Sequence, residues 1–280
     1  MDFVTVIYEK GNGIAKITLN RPEVRNAENR QMSREILEAF KLAEEDNEVR
    51  VIVLAAAGTS FSSGHDLGSP AAIAEGQKEP VNTTMGRYEH EEERWLKSWL
   101  YVRDLDKPTI AAVQGYCIMG GFMLATMCDI IIASEDAKFA DMAVRMGGAA
   151  VEYFSHPWEL GFRKCKEFLF TGDYIDAQEA WRLGMVNRVV PCERLEEETM
   201  NLANKIALQK PHALKLAKQA INYTQDLMGF RESLHYLFNI HQLSHAYGAL
   251  DPSLSVLASR GNKGLKEMLT ERDKKFEQTK

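Results

Sequence analysis

The 280-residue sequence predicts an α/β core reaching to about residue 195 and a helical region after it, and three observations carry that reading. Val51-Ile52-Val53-Leu54-Ala55-Ala56 is an unbroken apolar run, the pattern of a parallel strand covered on both faces. That run and a second short apolar strand, Thr109 to Val113, both lead into glycine-bearing loops, where open α/β sheets place their ligands. Beyond Glu193 the spacing is helical throughout, with breaks at Pro211, Gly229, Gly248 and Pro252, so the chain divides into residues 1–195 and 196–280.

In order along the chain, Phe3 to Tyr8 and Ile14 to Leu19 alternate apolar and polar residues around Gly11-Asn12-Gly13, which predicts a β-hairpin. Residues 20–27, NRPEVRNA, form a loop held by Pro22. Asn26 or Asn29 is placed to cap a helix in which Met32, Ile36, Leu37 and Phe40 keep helical spacing up to Asp46. Gly58 to Gly68 is the loop after the first apolar strand. Residues 69–86, with Pro70, Gly76, Pro80 and Gly86, show little periodicity and predict a mobile connection.

A charged helix from Tyr88 to Arg103 follows, with Trp95, Leu96, Trp99, Leu100 and Val102 on one face. Its run Glu89 to Glu93 predicts a solvated first turn and no metal site, because adjacent residues point in different directions around a helix. After the strand at Thr109 come a turn at Gln114-Gly115, a break at Gly120-Gly121 and a helix carrying Phe122 to Ala125. A strand from Asp129 to Ala133, helices at Lys164 to Phe170 and Ala177 to Leu183, a strand from Met185 to Val190 and a last helix near Lys263 to Phe276 complete the reading.

A net charge of −6 argues against a nucleic-acid surface, and no apolar run approaches the roughly 20 residues of a membrane helix. The N-terminal MDFVTVIYEKGNG has no basic segment before an apolar core, so no signal peptide is expected. Cys117, Cys128, Cys165 and Cys192 show neither paired nor metal-binding spacing, which predicts free thiols, no bound metal and a cytoplasmic location.

Gly120-Gly121 stands where a helix begins. The first N–H groups of a helix have no intrahelical partner and lie at its positive end, which suits a developing negative oxygen. A Gly-Gly pair alone reads rather as a turn that packs a helix on a strand; the second glycine loop at Gly64-His65 shifts the reading to anion gripping.

Four stretches, ITLNRPEVRNA, VIVLAAAGTSFSSGHDL, KPTIAAVQGYCIMGGFMLATMCDIIIAS and FLFTGDYIDAQEAWRLGMVNRVV, stand in the order of the crotonase (enoyl-CoA hydratase/isomerase) superfamily, which the chain resembles from about residue 5 to residue 260. The resemblance implies a crotonase/ClpP-like spiral of ββα turns, with residues 196–280 building homotrimers that often pair into hexamers. It implies an acyl-CoA thioester as substrate, coenzyme A being part of that substrate and no separate cofactor being needed. It also implies an oxyanion hole of two backbone N–H groups, which by motif position fall on His65, just after Gly64, and on Gly120. The His65 imidazole then either packs or faces solvent, or carries a proton. Arg25 matches a position near the adenine and phosphates of coenzyme A, with Gly64, Asp66 and Leu67 forming the other wall. Lys263 or Lys266 either meets the ribose phosphate or is an ordinary surface charge.

The pattern breaks at the acid/base positions. The hydratases carry one glutamate three residues after the second oxyanion-hole residue, which is Met123 here, and another after an FxxP-type turn, which is Ala143 here. Neither can carry a proton, so both two-glutamate hydration and the single-base isomerase route lack their groups. Asp141 and Glu152 are the nearby carboxylates. Each fits either acid/base work or helix capping, with Tyr153 and His156 as orienting or acidic partners. Met119, Phe122, Met123, Met142 and Met146 suit an apolar acyl group and an ordinary core equally. The readings are therefore an enoyl-CoA hydratase-like enzyme of fatty-acyl-CoA metabolism, a hydrolase or isomerase using Glu152 or Asp141, or a non-catalytic acyl-CoA binder. A ClpP-type serine protease is excluded, because Phe122 and Met123 occupy the place of its nucleophile.

Overall fold

The computed structural model describes residues 3–79, 81, 83–257 and 264–277. Strands β1 (Val6–Gly11) and β2 (Ile14–Leu19) pair antiparallel. Asn12 (φ 52°) and Gly13 (φ 76°) both take the positive φ that a two-residue hairpin turn needs. β3 (Val51–Ala56), β4 (Thr109–Val113), β6 (Ile130–Ser134) and β9 (Arg188–Val190) extend the sheet in parallel, giving the order β1-β2-β3-β4-β6-β9.

A smaller sheet holds β5 (Tyr116–Ile118), β7 (Lys138–Ala140) and β8 (Ile175–Asp176). The chain thus passes from a strand of the large sheet to a strand of the small one and then into a helix. It does so at β4, β5 and α5 (Gly120–Thr126), and again at β6, β7 and α6 (His156–Thr171). These are the expected ββα turns.

Alternate residues of β3 explain why its run is apolar without a break. Ile52 and Leu54 join the main core with Phe40, Phe61 and Trp99, while Val51 and Val53 join a second cluster. That second cluster is closed by Leu195 and Ala203 of α8 (Leu195–Ala207). Helix α1 (Arg30–Glu45) buries Met32, Ile36, Phe40 and Ala43 and is capped by Asn29, whose Oδ1 accepts from the Met32 N–H at 3.0 Å. Asn26 instead turns its amide to the carbonyls of Ala57 and Ser60, tying the NRPEVRNA loop to the end of β3.

Several expectations are corrected. Residues 70–78 form helix α2 (Pro70–Lys78) rather than a mobile connection. Ser69 caps it, Pro70 sits in its first turn, and no residue of it is buried, so the sequence shows no periodicity there. Pro80, also read as part of that connection, lies outside the described residues. The charged helix is longer than Tyr88 to Arg103: α3 (Thr84–Glu91) passes through a π-helical turn at Glu92–Lys97 into α4 (Ser98–Asp104). Glu91 is buried there, not solvated. α6 starts at His156, well before Lys164, and bends at Gly161 (φ 69°).

The remaining helices are α7 (Ala177–Leu183), α9 (Pro211–Leu227), α10 (Phe230–Leu250) and α11 (Leu265–Glu277). Gly248 lies within α10 and does not break it. The helical region shares the main core, to which α10 contributes Phe230, Leu234 and Phe238.

All cysteines are free, Cys117, Cys128 and Cys165 being buried and Cys192 exposed. The native protein should therefore present one thiol to DTNB, and four after unfolding in guanidinium. A second fast thiol would contradict the packing around β5, α5 and α6.

Candidate active site

The two glycine loops meet. The Ser62 N–H donates to the Tyr116 carbonyl at 2.9 Å, and the Ile118 N–H to the Ser62 carbonyl at 3.0 Å, so the loop after β3 lies along β5. Contact is close enough to exclude side chains. A Cβ on Gly64 (φ 91°) would stand 2.9 Å from the Ile118 oxygen and 3.3 Å from the Gly120 nitrogen, and one on Gly121 2.6 Å from the Ser62 oxygen.

Met119 enters α5 at φ 50° and ψ −111°, a conformation normally left to glycine and strained by about 1–3 kcal/mol. Its N–H is fixed to the Ala140 carbonyl at 2.8 Å. Gly120 opens α5, so its N–H has no acceptor within the helix. His65 sits between Gly64, whose carbonyl accepts from the Glu28 N–H, and Asp66, whose N–H donates to the Glu28 carbonyl. Its own N–H faces away from that pairing. Among the described residues, neither the His65 nor the Gly120 N–H donates a backbone hydrogen bond.

The His65 imidazole packs, and it packs between carboxylates. Its ring stacks on Trp95 with centroids 4.1 Å apart. Nε2 lies 3.0 Å from Glu152 Oε2, and Nδ1 lies 3.6 Å from Glu28 Oε2. Glu28 is fully enclosed, its Oε1 accepting from Trp95 Nε1 at 2.8 Å and from the Ser33 hydroxyl. Ser33 Oγ in turn accepts from Arg94 Nε at 2.8 Å, and the Arg94 guanidinium lies 4.5 Å from the Trp95 ring centroid.

Burial alone would push His65 down, but the facing charges of Glu152 and Glu28 outweigh it and hold the imidazolium up to about 10. Burial would likewise raise both carboxyls; the imidazolium keeps Glu28 below the ordinary range, and together with His241 keeps Glu152 well below it. The ring also lies directly against Gly120, where a Cβ would stand 2.8 Å from His65 Nδ1. A proton-bearing group therefore lies against Gly120.

The cluster continues away from the loops. Glu152 Oε1 lies 3.4 Å from His241 Nε2. His241 sits on α10 one turn before His245, and their Nε2 atoms are 2.9 Å apart. Glu91, the last residue of α3, faces both rings and accepts from Gln242 Nε2 at 2.6 Å. The His90 ring meets Trp95 edge-on, with centroids 6.4 Å apart, and lines an open cavity of about 550 Å³ with Arg30, Thr83, Gly86 and Glu89.

The other sequence candidates fall elsewhere. Asp141 is buried with Oδ1 accepting from the Ala143 N–H (2.8 Å) and Oδ2 from the Val151 N–H (3.2 Å), so it holds the turn before Glu152. His156 does not partner Glu152. It lies 3.1 Å from Asp141 and stacks on Phe122 and Phe154, with centroids at 4.4 and 4.8 Å. Tyr153 does not partner Glu152 either: it packs edge-on to Phe230, and its N–H meets the Met123 sulfur at 3.1 Å. Met123 is thus a fully buried support for the Glu152 loop, and Ala143 is buried at the same turn. Arg272 of α11 covers the sulfurs of Met142 and Met146.

Arg25 takes φ 52° and places its guanidinium 5.6 Å from the Tyr116 ring centroid. Asp66 is engaged by Arg21 at 2.9 Å and by Ser69, so it closes its own loop; Leu67 is half exposed. Lys266 is exposed on α11, and Lys263 lies outside the described residues. Glu28, Trp95, Glu91, His241 and His245 are the members that sequence reasoning did not find. The one sequence signal among them is the His241-x-x-x-His245 spacing, which places both rings on one helix face and which motif reading passed over.

Fold and site together define an α/β spiral enzyme in which two glycine loops with unpaired backbone donors lie beside a buried cluster of histidines and carboxylates. The chain belongs to the Enoyl-CoA hydratase/isomerase family, the crotonase superfamily, whose profile matches residues 9–245. It is 47% identical over 247 residues to Mycobacterium tuberculosis EchA13, whose name is that of an enoyl-CoA hydratase, covering 84% of this chain and 78% of that one. A solved structure of a probable enoyl-CoA hydratase from Mycobacterium thermoresistibile superposes with TM-score 0.82 at 47% identity, covering 88% of this chain and 98% of the other. An enoyl-CoA hydratase/isomerase from Xanthobacter autotrophicus Py2 superposes with TM-score 0.86 at 30% identity, covering 98% and 99%.

Proposed function

We propose that the protein is an enoyl-CoA hydratase-like lyase in which the His65–Glu152 pair does the work of the two absent glutamates. The observation that carries this reading is the 3.0 Å contact between His65 Nε2 and Glu152 Oε2, set against Gly120. The thioester carbonyl accepts from the His65 and Gly120 N–H groups; losing one such donor typically costs about 3–4 kcal/mol of transition-state stabilisation. Glu152 takes a proton from water as the water oxygen bonds to the β-carbon, and negative charge gathers on the carbonyl oxygen. The His65 imidazolium gives its proton to the α-carbon. The hydrogen bond between the two side chains then returns the water's proton from Glu152 to His65, restoring both groups.

Arg25 supports binding of the coenzyme A end. Exposed apolar residues on the helical region, among them Leu216, Ile221, Tyr223, Leu227 and Met228, support assembly into homotrimers or paired trimers. A cytoplasmic location belongs to the same reading. No helix among the described residues is long and apolar enough to cross a membrane.

The test is loss of the conjugated enoyl absorbance of crotonyl-CoA and longer enoyl-CoAs as a function of pH. His65 must hold its proton at the start of each cycle, so kcat is full below the His65 pKa and falls as pH rises through about 10. No acid limb should appear within the ordinary carboxylate range, because Glu152 stays ionised there. Tight acyl-CoA binding with no turnover of any enoyl thioester would sink the reading, as would an alkaline limb unmoved in His65→Gln.

A further inference from the structure

We propose that Glu91, His241 and His245 form a binding site for a divalent transition-metal ion of the zinc type, set between the end of α3 and the face of α10. Their donor atoms enclose one point. His241 Nε2 and His245 Nε2 are 2.9 Å apart, and Glu91 Oε2 lies 3.4 and 3.6 Å from them. A tetrahedral ion with bonds of about 2.0–2.1 Å holds its ligand atoms about 3.3–3.4 Å apart, so the three observed edges bracket what such an ion requires.

The surroundings are those of ligands already oriented. The His241 Nδ1–H is committed to the Ala150 carbonyl at 2.6 Å, which fixes Nε2 as the lone-pair nitrogen of the neutral ring. A backbone carbonyl on the far nitrogen is the usual outer partner of a metal-bound imidazole. Gln242, next to His241 on the helix, holds the Glu91 carboxylate at 2.6 Å.

A ring nitrogen lone pair facing another ring nitrogen and two carboxylates needs positive charge among them. A proton on His241 would supply that charge facing Glu91 Oε2 and Glu152 Oε1, each 3.4 Å from its Nε2, and an ion at the centre would take that proton's place. One ion at the centre engages all three proposed ligands at once. Three protein ligands leave a position for water, and Glu152 Oε1 is near enough to accept from it.

Two imidazoles and a carboxylate select Zn²⁺, Co²⁺ or Ni²⁺ over Mg²⁺ and Ca²⁺, which take oxygen shells. Glu91 and His241 are buried, while the His245 side chain keeps 31% exposure and leaves a route from solvent. The Glu89–Glu93 run makes no site by itself; one member of it joins two residues far along the chain. Glu152 links the ion to the loops, with Oε2 on His65 and Oε1 toward His241. The site would take its ion whatever thioester reaction the neighbouring loops perform.

The experiment uses the full chain, stripped by chelator and exchanged into chelator-free buffer, and titrated with ZnCl₂ by calorimetry. Wild type should bind one zinc ion per chain and melt at higher temperature with it. Co²⁺ should give the intense visible ligand-field band of a four-coordinate site. His245→Gln, at the exposed edge and with its fold checked by circular dichroism, should lose affinity by about 100-fold or more. His212→Gln, on an exposed turn of α9, should bind as wild type. Absence of zinc binding, a six-coordinate Co²⁺ spectrum, or His245→Gln binding as tightly as wild type would overturn the proposal.

Discussion

Glu152→Gln lowers kcat on crotonyl-CoA by about 10²–10⁴-fold and leaves KM nearly unchanged. The amide keeps the size of the carboxylate and still reaches His65, but it cannot take a proton from water. The loss therefore falls on the transition state and not on ground-state binding. The same change removes the closer of the two carboxylates that hold the imidazolium up to about 10, so the alkaline limb of any residual activity moves to lower pH. Glu28→Gln removes the weaker contact, 3.6 Å against 3.0 Å, and should shift that limb less. A Glu152→Gln enzyme with kcat within about threefold of wild type would remove Glu152 from the chemistry.

Gly115→Ala costs roughly 3–5 kcal/mol of stability and takes activity with it. Gly115 has φ 54°, and a Cβ there would fall 2.1 Å from the Thr59 carbonyl oxygen and 3.2 Å from the Ser60 Cα. Every obstructing atom is backbone, so no side chain can rotate out of the way. The strain lands on the segment that positions His65. Phe61 donates to the Gln114 carbonyl, Ser62 to the Tyr116 carbonyl, and Lys138 to the Gly115 carbonyl. Moving that seam separates Gly64 from Gly120. Urea unfolding and kcat/KM measured together check this. Gly76→Ala on α2, where a Cβ would meet nothing within 4 Å, is the matched control and should be neutral or stabilising by up to about 1 kcal/mol. A Gly115→Ala protein within about 1 kcal/mol of wild type would show that the seam yields at little cost.

What the sequence made legible was whatever short-range rules determine. β2, β3 and β4 fall on the residues where period and apolar run place them, and both glycine loops meet as their motif positions imply. α2 was illegible because it buries nothing, and the first turns of α6 because the bend at Gly161 interrupts the spacing. The acid/base cluster was illegible for another reason. Glu28, His65, Trp95, Glu152 and His241 come from five separate parts of the chain, and no period or motif joins them. Charge also misled. The Glu89–Glu93 run reads as solvent-facing, yet Glu91 turns inward because α10 supplies Gln242 and His241 to meet it. Met123 shows the converse: the motif reading sets it at a catalytic position, and in the fold it serves as a wall for the loop that carries Glu152.

The π-helical turn at Glu92–Lys97 sets the phase between two neighbourhoods that one helix serves. Upstream of it Glu91 points to His241 and His245; within it Trp95 turns to Glu28 and His65. Each residue of an α-helix advances the direction of its side chains by about 100°. Shortening or lengthening this segment by one residue would therefore rotate one neighbourhood away from the other while leaving the helix itself intact. Helix length here works as a gear tooth, coupling the α10 face to the two glycine loops through the count of residues between Glu91 and Trp95.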